Sequence, residues 1–283
     1  MEDAQITKNQ HIVPQRHLKN FLAPNESKLK CFNADDLRIE KPQSPKSICS
    51  GELEFHYALK PGEYDEYSQV VEKAFGDIED WYGKNIDRIE DQFITFQTPS
   101  DEDRYGISWI IANFYFRGLR HRETVRRLSL EVAEWAYPND EAIKKIAEKT
   151  SHATNSAFDA GHANTLTHKW WRVLINKSET YSFITSDEAV IEIFNKQIPE
   201  NFPMRGSFLH QTQIFHLSPR VAIVALFPFT EELHGKTEFI NVSNNKAGIA
   251  GNNFQYLDYA YKYAYAPNDF FFKEVIEQHR KKD

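Results

Sequence analysis

The sequence predicts an α+β fold in which central long helices pack on a mixed or antiparallel sheet built from early and late strands. Apolar residues recur at helical spacing through the middle of the chain, over residues 64–165. Alternating or wholly apolar runs within 169–266 are typical of strands, and a further strand is predicted at 28–33. Because strands flank a helical middle, we expect both ends of the chain to share one sheet.

The N-terminal part is predicted to contain one short helix and one strand. Pro14 stands where a proline favours the start of a helix, so residues 11–22 are predicted to be a short helix. The strand at 28–33 is followed by an Asp-Asp turn. Residues 41–50 are rich in proline, serine and lysine and are predicted to be a loop.

The middle of the chain is predicted to be helical. One helix spans residues 64–91, with one buried face and one acidic face. The next begins after Ser100, whose hydroxyl can cap free backbone N–H groups, and it continues to about residue 135 with a bend near Gly118. A further helix is predicted over 139–162.

The second half is predicted to be sheet-rich and to end in a helix. A helix is predicted at 244–257, where two glycines interrupt the pattern, and another at 269–281, with Asn268 or Asp269 as its cap. Residues 1–283 are accordingly predicted to form one α+β domain. The predicted strands are 169–176, 181–185, 190–194, 213–229 and 259–266.

Composition narrows the class of protein. Hydrophobic residues make up 41% of the 283 residues, which is enough for a packed core, and the net charge is −7. This charge argues against a surface covered in phosphate-binding groups, although a local basic stripe could still bind nucleic acid. Cys31 and Cys49 are too few for a disulfide framework, which favours a reducing compartment. Residues 1–10 lack a signal peptide's apolar region, and the longest apolar run, 221–229, is too short to span a bilayer. We therefore expect a soluble cytoplasmic protein without a membrane partner.

Three segments, in this order, resemble a bacterial family known as the domain of unknown function 4238. Residues 11–21 (HIVPQRHLKNF) resemble its opening H-x-V-P-x-x-Y/H-L-x-x-F signature, residues 183–190 (FITSDEAV) its F-x-T-S-D-N-P-V segment, and residues 216–219 (HLSP) its P-L-S-P segment. The chain has Glu188 and Ala189 where the family has Asn-Pro, and His216 where it has Pro. The resemblance implies the family's fold but no established reaction.

The opening signature supplies the first candidate site residues. His11 stands before a predicted helix, where a neutral imidazole could act as a general base or a metal ligand. The structural alternative is that His11 caps this turn. Gln15 and Asn20 lie on the same short helix and could orient a bound substrate.

The second segment supplies the polar residues Thr185, Ser186 and Asp187, which follow an apolar strand. Sheets often present catalytic groups at strand ends, and an aspartate beside two hydroxyls can bind a metal or hold a histidine. Ser186 and Asp187 are therefore predicted to be catalytic and Thr185 to contact substrate. The alternative is a turn in which these side chains bond their own backbone.

A pair of glutamates supplies further candidate metal ligands. Glu72 and Glu79 are separated by two helical turns, so they share a helix face and could join Asp187 in binding a divalent metal. An acidic helix face that is merely solvated is the alternative.

The basic residues of the chain are concentrated around the predicted bend at Gly118. Arg117, Arg120 and His121 are on neighbouring turns and could hold a phosphate, because guanidinium groups donate paired hydrogen bonds to it. The alternative is an amphipathic helix whose arginines pair with acidic residues elsewhere in the chain.

Missing motifs argue against the common serine hydrolases, P-loop enzymes and dinucleotide-dependent dehydrogenases. The sequence contains no G-x-S-x-G, no complete phosphate-binding loop and no G-x-G-x-x-G. The remaining residue types favour a hydrolase acting on a phosphodiester or nucleotide, for instance a nuclease-like effector, with a divalent metal as an open question. A non-enzymatic module that binds a ligand or a partner protein is the alternative, and the aromatic residues of 256–272 suit an interface.

Overall fold

The computed structural model describes residues 9–52, 70–147, 159–194 and 210–281. Two predicted helices fall partly outside these ranges, namely the beginning of the helix at 64–91 and the central part of the helix at 139–162. Where they are described, residues 70–91, 141–147 and 159–162 are helical, as predicted.

The helices follow the predicted order. The N-terminal signature forms a short α1, and two long helices, α2 and α3, supply the centre of the fold. The bend predicted at Gly118 is a break between α3 and α4. Gly248 and Gly251 do not interrupt the helix that contains them. The bounds are α1 Gln15–Lys19, α2 Val70–Ile94, α3 Asp101–Arg117, α4 Leu119–Ala136, α5 Asp159–His168, α6 Lys246–Tyr259 and α7 Phe270–Arg280.

The strands form two larger sheets and one short ladder. A five-stranded mixed sheet has the order β10-β5-β9-β8-β7, and a four-stranded antiparallel sheet has the order β3-β2-β11-β6. The short antiparallel pair β1-β4 stands apart from both. The bounds are β1 Asn9–His11, β2 Leu29–Asn33, β3 Arg38–Gln43, β4 Ser50–Glu52, β5 Trp170–Ile175, β6 Thr185–Ser186, β7 Val190–Ile193, β8 Thr212–Ser218, β9 Val221–Leu226, β10 Thr237–Asn241 and β11 Tyr263–Ala266.

The central helices pack on the five-stranded sheet. Ile89 of α2 and Ile110 of α3 are buried in one cluster with Trp171 of β5, Phe215 of β8 and Ile223 of β9. Each of these side chains is almost completely removed from water, so the burial of apolar area is the main force joining the helices to the sheet. The predicted packing of central long helices on a sheet is confirmed.

The four-stranded sheet joins the two ends of the chain. β11 pairs with β2 on one side and with β6 on the other, and Tyr265 faces Cys31 and Thr185 in these two registers. Helix α7 covers this sheet, because its Phe272 stacks on Phe32 with ring centroids 4.9 Å apart. The prediction that early and late strands share a sheet is therefore confirmed.

The predicted strand 213–229 is two antiparallel strands, β8 and β9, with a turn at 219–220. Two further local predictions were wrong for reasons that the structure shows. The predicted loop at 41–50 contains the end of β3, an edge strand, where a proline such as Pro42 is tolerated because its missing N–H need not join a ladder. Most of the predicted strand 181–185 is irregular, because the Asn253 side chain bonds the carbonyl of Ser182 and the N–H of Ile184. Within the described ranges, no helix is long and apolar enough to cross a membrane.

Candidate functional site

His17, from the first signature segment, is the centre of a buried polar network. Its Nδ1 lies 3.1 Å from the Tyr82 hydroxyl, and its Nε2 lies 3.1 Å from the Thr185 hydroxyl. Asn20 also donates to the Tyr82 oxygen, so the phenol proton can point to Nδ1 and leave Nε2–H to donate to Thr185. Burial lowers the pKa of His17 to about 3, so the imidazole is neutral. The network ties α1 to α2 and to β6.

His216, from the third segment, is bonded to the second segment. Its Nδ1 lies 2.6 Å from the carbonyl of Ile184, and its ring stacks on Tyr256 with centroids 3.9 Å apart. The Tyr256 hydroxyl in turn accepts from the His216 backbone N–H. The three signature segments therefore meet around residues 184 and 185 and hold the two sheets together.

Asp187 accepts hydrogen bonds from the backbone that follows helix α6, whereas Ser186 bonds its own turn. The Asp187 carboxylate accepts three backbone N–H groups, from Tyr261, Lys262 and Tyr263, each at 2.8 Å. Burial raises the pKa of Asp187 to about 6, although these N–H groups act in the opposite direction. The Ser186 hydroxyl donates to the carbonyl of Glu188 at 2.7 Å, which makes a local turn. The Ser186 contact is the local turn of the structural alternative, whereas Asp187 bonds backbone more than seventy residues away.

His11 belongs to a different group of residues. Arg117 donates to its backbone carbonyl and forms an ion pair with Glu79 at 2.5 Å. The Arg117 side chain is buried and lies over the Phe75 ring. Burial lowers the pKa of the half-buried His11 imidazole below its usual value. The structure thus brings His11, Glu79 and Arg117 together, as β1, α2 and α3 meet.

The predicted metal ligands do not form a cluster among the described side chains, where no group of three or more His, Cys, Asp or Glu is placed to hold a metal. Glu79 pairs with Arg117, and Asp187 is bonded to backbone N–H groups. The Glu72 side chain lies outside the described part of the structure, although its backbone is in α2. Gln15 is half-buried in the first turn of α1.

Two of the predicted phosphate-binding residues, Arg120 and His121, line a cleft of about 220 Å³ between α3, α4 and β7. We call it the Arg120 cleft. The Arg120 guanidinium donates to the carbonyls of Tyr259 and Ala260, at 2.8 and 3.0 Å, which fixes it at the edge of the cleft. The lining residues are Tyr115, Arg120, His121, Thr124, Glu188, Val190, Glu192 and Tyr259.

Glu188 is the most deeply buried acid of the cleft. Its carboxylate accepts the backbone N–H of Arg120 at 2.7 Å, at the beginning of α4, where the N-cap residue Gly118 has no side chain to do so. Burial raises the pKa of Glu188 to about 8, although the Arg120 N–H acts in the opposite direction. A carboxylic acid that keeps its proton at neutral pH can act as a general acid.

Glu192 is the second acid of the cleft. It accepts the Tyr115 hydroxyl at 2.8 Å and the Gln213 amide at 3.0 Å. Burial raises its pKa above the usual value, and the buried Lys169 ammonium acts in the opposite direction. The cleft therefore combines a buried and a half-buried carboxyl group with a guanidinium and an imidazole, which is a set of groups suited to proton transfer beside an anionic substrate.

Sequence reasoning did not single out His17, Glu188 or Glu192. The signal for His17 was its place between Pro14 and Leu18, where the next turn of an amphipathic helix returns to the core. Glu188 and Glu192 could be found only from the tertiary structure, because nothing in the local sequence shows that a glutamate at a strand end is covered by a helix.

A comparison with models of protein families gives a match over most of the chain. The model of a family described as "Protein of unknown function (DUF4238)" matches residues 9–270. The chain belongs to the DUF4238 family. The resemblance seen in the three segments is thereby confirmed, and the structure shows that all three DUF4238 segments pack together in the core.

The comparisons with curated proteins and with solved structures each found no match. The DUF4238 pattern and the cleft share Val190, which the family pattern has as Val, and Glu188, where the family's usual Asn is replaced by the acid that caps α4.

Proposed function

We propose that this protein is a hydrolase acting on a phosphodiester or nucleotide, and that it acts at the Arg120 cleft. One observation supports the proposal more than any other: Arg120 and His121 line the same cleft as Glu188, an acid protonated at neutral pH. Phosphoryl transfer needs mainly charge neutralisation, positioning and proton transfer, and these side chains can supply all three.

In the proposed reaction, the oxygen of a water molecule attacks phosphorus as the bond from phosphorus to the leaving oxygen breaks. His121 takes the proton from the water, and the Glu188 carboxylic acid gives its proton to the leaving oxygen. Arg120 neutralises the charge on the phosphoryl oxygens. His11, the general base predicted from sequence, and Asp187, the predicted orienting residue or metal ligand, are not among the residues that line the cleft. Variants of these two residues therefore test whether the site is wider than the cleft or depends on a metal.

The proposed substrate, a nucleotide or nucleic acid in the cytoplasm, is an anion, and the protein has a net charge of −7. A polyanion approaching such a protein needs a locally positive surface, and the exposed Arg120 supplies a positive charge at the N-terminal end of α4. Further along α4, Arg126 and Arg127 are paired with Glu123 and Glu131. The positive end of α4 is therefore the part that favours phosphate.

A non-enzymatic binding module is the second candidate. It is favoured by the contacts of the polar DUF4238 residues: Thr185, Ser186 and Asp187 all use their side chains to bond other parts of the fold. In such a module, the Arg120 cleft binds a ligand but does not turn it over.

The experiment is a hydrolysis assay of the purified protein with bis(p-nitrophenyl) phosphate, cyclic and linear nucleotides, and short RNA and DNA, with and without Mg²⁺ or Mn²⁺. Glu188→Gln retains an acceptor for the Arg120 N–H but cannot give a proton. Arg120→Gln removes the charge. Glu179→Gln, at an exposed position, is the matched control. His11→Ala and Asp187→Ala test the residues predicted from sequence.

We expect turnover that Glu188→Gln and Arg120→Gln reduce by about a hundredfold, the ordinary contribution of one general acid, while Glu179→Gln has no effect. The wild-type rate should fall above pH 8, where Glu188 ionises. Thermal stabilisation by a nucleotide that depends on Arg120, without turnover, would favour the binding module. Turnover that survives both cleft substitutions would place the reaction elsewhere.

A further inference from the structure

A second concave surface lies on the α2–α3 pair, where Ile78, Trp81 and Trp109 are partly buried against the main core. The described residues that line it belong to these two helices: Asp77, Ile78 and Trp81 of α2, and Glu102, Tyr105, Gly106 and Trp109 of α3. The spacings are those of adjacent helical turns. The groove has a volume of about 500 Å³, and we call it the aromatic groove.

Three aromatic rings, those of Trp81, Tyr105 and Trp109, line the aromatic groove. Tyr105 is 46% exposed, and its ring meets the Trp109 ring edge-on, at a centroid distance of 6.2 Å and an interplanar angle of 84°. The Trp81 ring lies directly against Gly106, where any Cβ atom would overlap it. Gly106 therefore lets the ring of α2 settle onto α3 and form the floor of the groove.

Among the described residues that line the aromatic groove, the charged groups are two carboxylates. Asp77 lies one turn before Trp81, and Glu102 lies one turn before Tyr105, so each helix places an acid next to an aromatic residue of the groove. Both acids are exposed. Aromatic faces attract cations through their quadrupole, and carboxylates add a charge-assisted hydrogen bond, so both features of the groove select a positive group.

We propose that the aromatic groove is a docking site for an arginine-bearing segment of a partner protein. A guanidinium can stack on an indole or phenol ring while it donates to a carboxylate, and its aliphatic stem can cover apolar surface. A groove of about 500 Å³ has room for such a side chain together with its flanking backbone. The groove is independent of the Arg120 cleft, so this inference does not depend on the proposed hydrolysis.

The binding test uses calorimetry with three glycine/serine peptides of equal length, carrying two arginines, two glutamines or two glutamates. The protein variants are Tyr105→Ala and the double variant Asp77→Asn/Glu102→Gln. Two controls match them: Trp135→Ala removes an aromatic side chain that is 85% exposed on α4, and Glu277→Gln removes an exposed acid on α7.

We expect the arginine peptide alone to bind. Tyr105→Ala should weaken binding about fivefold and the double acid variant about tenfold, the scale of one cation–π contact and of a pair of exposed charges, with the acid effect reduced by salt. Both control variants should bind as the wild type does. Absence of binding to the wild type, equal binding of the glutamine peptide, or binding unchanged in both groove variants would overturn the proposal.

Sedimentation of the wild type and of Tyr105→Ala without peptide tests whether a second copy of this chain occupies the groove instead. If the protein self-associates and Tyr105→Ala abolishes the association, the groove is a contact between copies of this chain, and the proposal of an arginine-bearing partner is wrong. A monomer in both cases agrees with the proposal.

Discussion

The imidazole Nε2 of His17 and the hydroxyl of Thr185 lie 3.1 Å apart although 168 residues separate them in the chain. Both side chains are fully buried, and each belongs to a different DUF4238 segment. A hydrogen bond in such a place contributes through the cost of leaving its partners unsatisfied. The opening signature is thus explained first by folding, since its second histidine joins the N-terminus to the sheet.

Replacing His17 should destabilise the protein strongly. His17→Ala removes a buried ring that contacts Phe21, Phe114 and Phe215 and leaves two hydroxyls without their partner, so we expect a loss of about 3–5 kcal/mol in the free energy of unfolding. Urea denaturation followed by circular dichroism measures it. Thr185→Val, which removes one bond without a cavity, should cost about 1–2 kcal/mol. Equal losses in the two variants would contradict this account.

The buried histidines should make the protein acid-sensitive. Burial lowers the pKa of both His17 and His216 to about 3, whereas their unfolded value is 6.5. Between these values the unfolded chain binds the extra protons, so the free energy of unfolding falls as the pH falls from 6.5 towards 3, by up to about 1.4 kcal/mol per pH unit for each histidine. His216→Gln should reduce this slope, and exposed His234→Gln should not. Denaturation midpoints across this range provide the measurement.

Glu188 should make the stability of the protein fall as the pH rises. Its pKa is raised from 4.5 to about 8 by burial, so the folded protein holds a proton that the unfolded chain has lost. Stability should therefore fall as the pH rises from 4.5 to 8, at up to about 1.4 kcal/mol per pH unit from this group. In Glu188→Gln this contribution disappears, and the variant should gain on the wild type as the pH rises. A difference between the two proteins that is constant from pH 5 to pH 8 would rule this out.

Asp187 provides a test of anchoring against catalysis. Asp187→Ala leaves the N–H groups of Tyr261, Lys262 and Tyr263 without their acceptor, so their hydrogen exchange should accelerate. We expect the free energy of unfolding to fall by about 2–4 kcal/mol, because a charged acceptor of several bonds is lost. Asp258→Asn, on the nearby surface, is the control. Lost hydrolysis with exchange and stability unchanged would assign Asp187 to the reaction instead.

Two glycines of the helical pair should respond in opposite directions to the same substitution. Gly106→Ala places a methyl group in the Trp81 ring, and the displacement should cost about 1–3 kcal/mol in stability. Gly76 is an exposed position of α2 with open space around it. Gly76→Ala should therefore stabilise the protein by about 0.5–1 kcal/mol, because alanine has the higher helix propensity. Thermal unfolding of the two variants tests both signs. Destabilisation by Gly76→Ala would contradict the packing described for α2.

The elements that sequence predicts well are those whose signal is local. The cap at Ser100 is confirmed by the 3.1 Å bond from the Asp103 N–H to its hydroxyl, and the break at Gly118 lies where the glycine stands in the sequence. The order of the strands predicted that both ends of the chain share one sheet, whereas the direct pairing of β2 with β11 was not predicted. The irregular backbone before β6 could not be predicted, because Asn253 on a distant helix supplies its hydrogen bonds.

The candidate site was predictable only in part. Arg120 and His121 were found because basic residues are concentrated there, and both line the cleft. Arg117 is in the same concentration, but its side chain is 1% exposed and paired with Glu79. Sequence spacing shows which residues are neighbours on a helix, whereas the break at Gly118 decides which of them meet Glu188. That choice depends on tertiary packing.

The position of β11 has a consequence for synthesis of the chain. This strand lies between β2 and β6, so the four-stranded sheet lacks a central member until residues 263–266 have left the ribosome. Until then β2 and β6 each expose an edge that the finished protein covers, and such edges can pair with other chains. Nascent chains stalled before residue 263 should therefore depend on chaperones, whereas chains released after α7 should not.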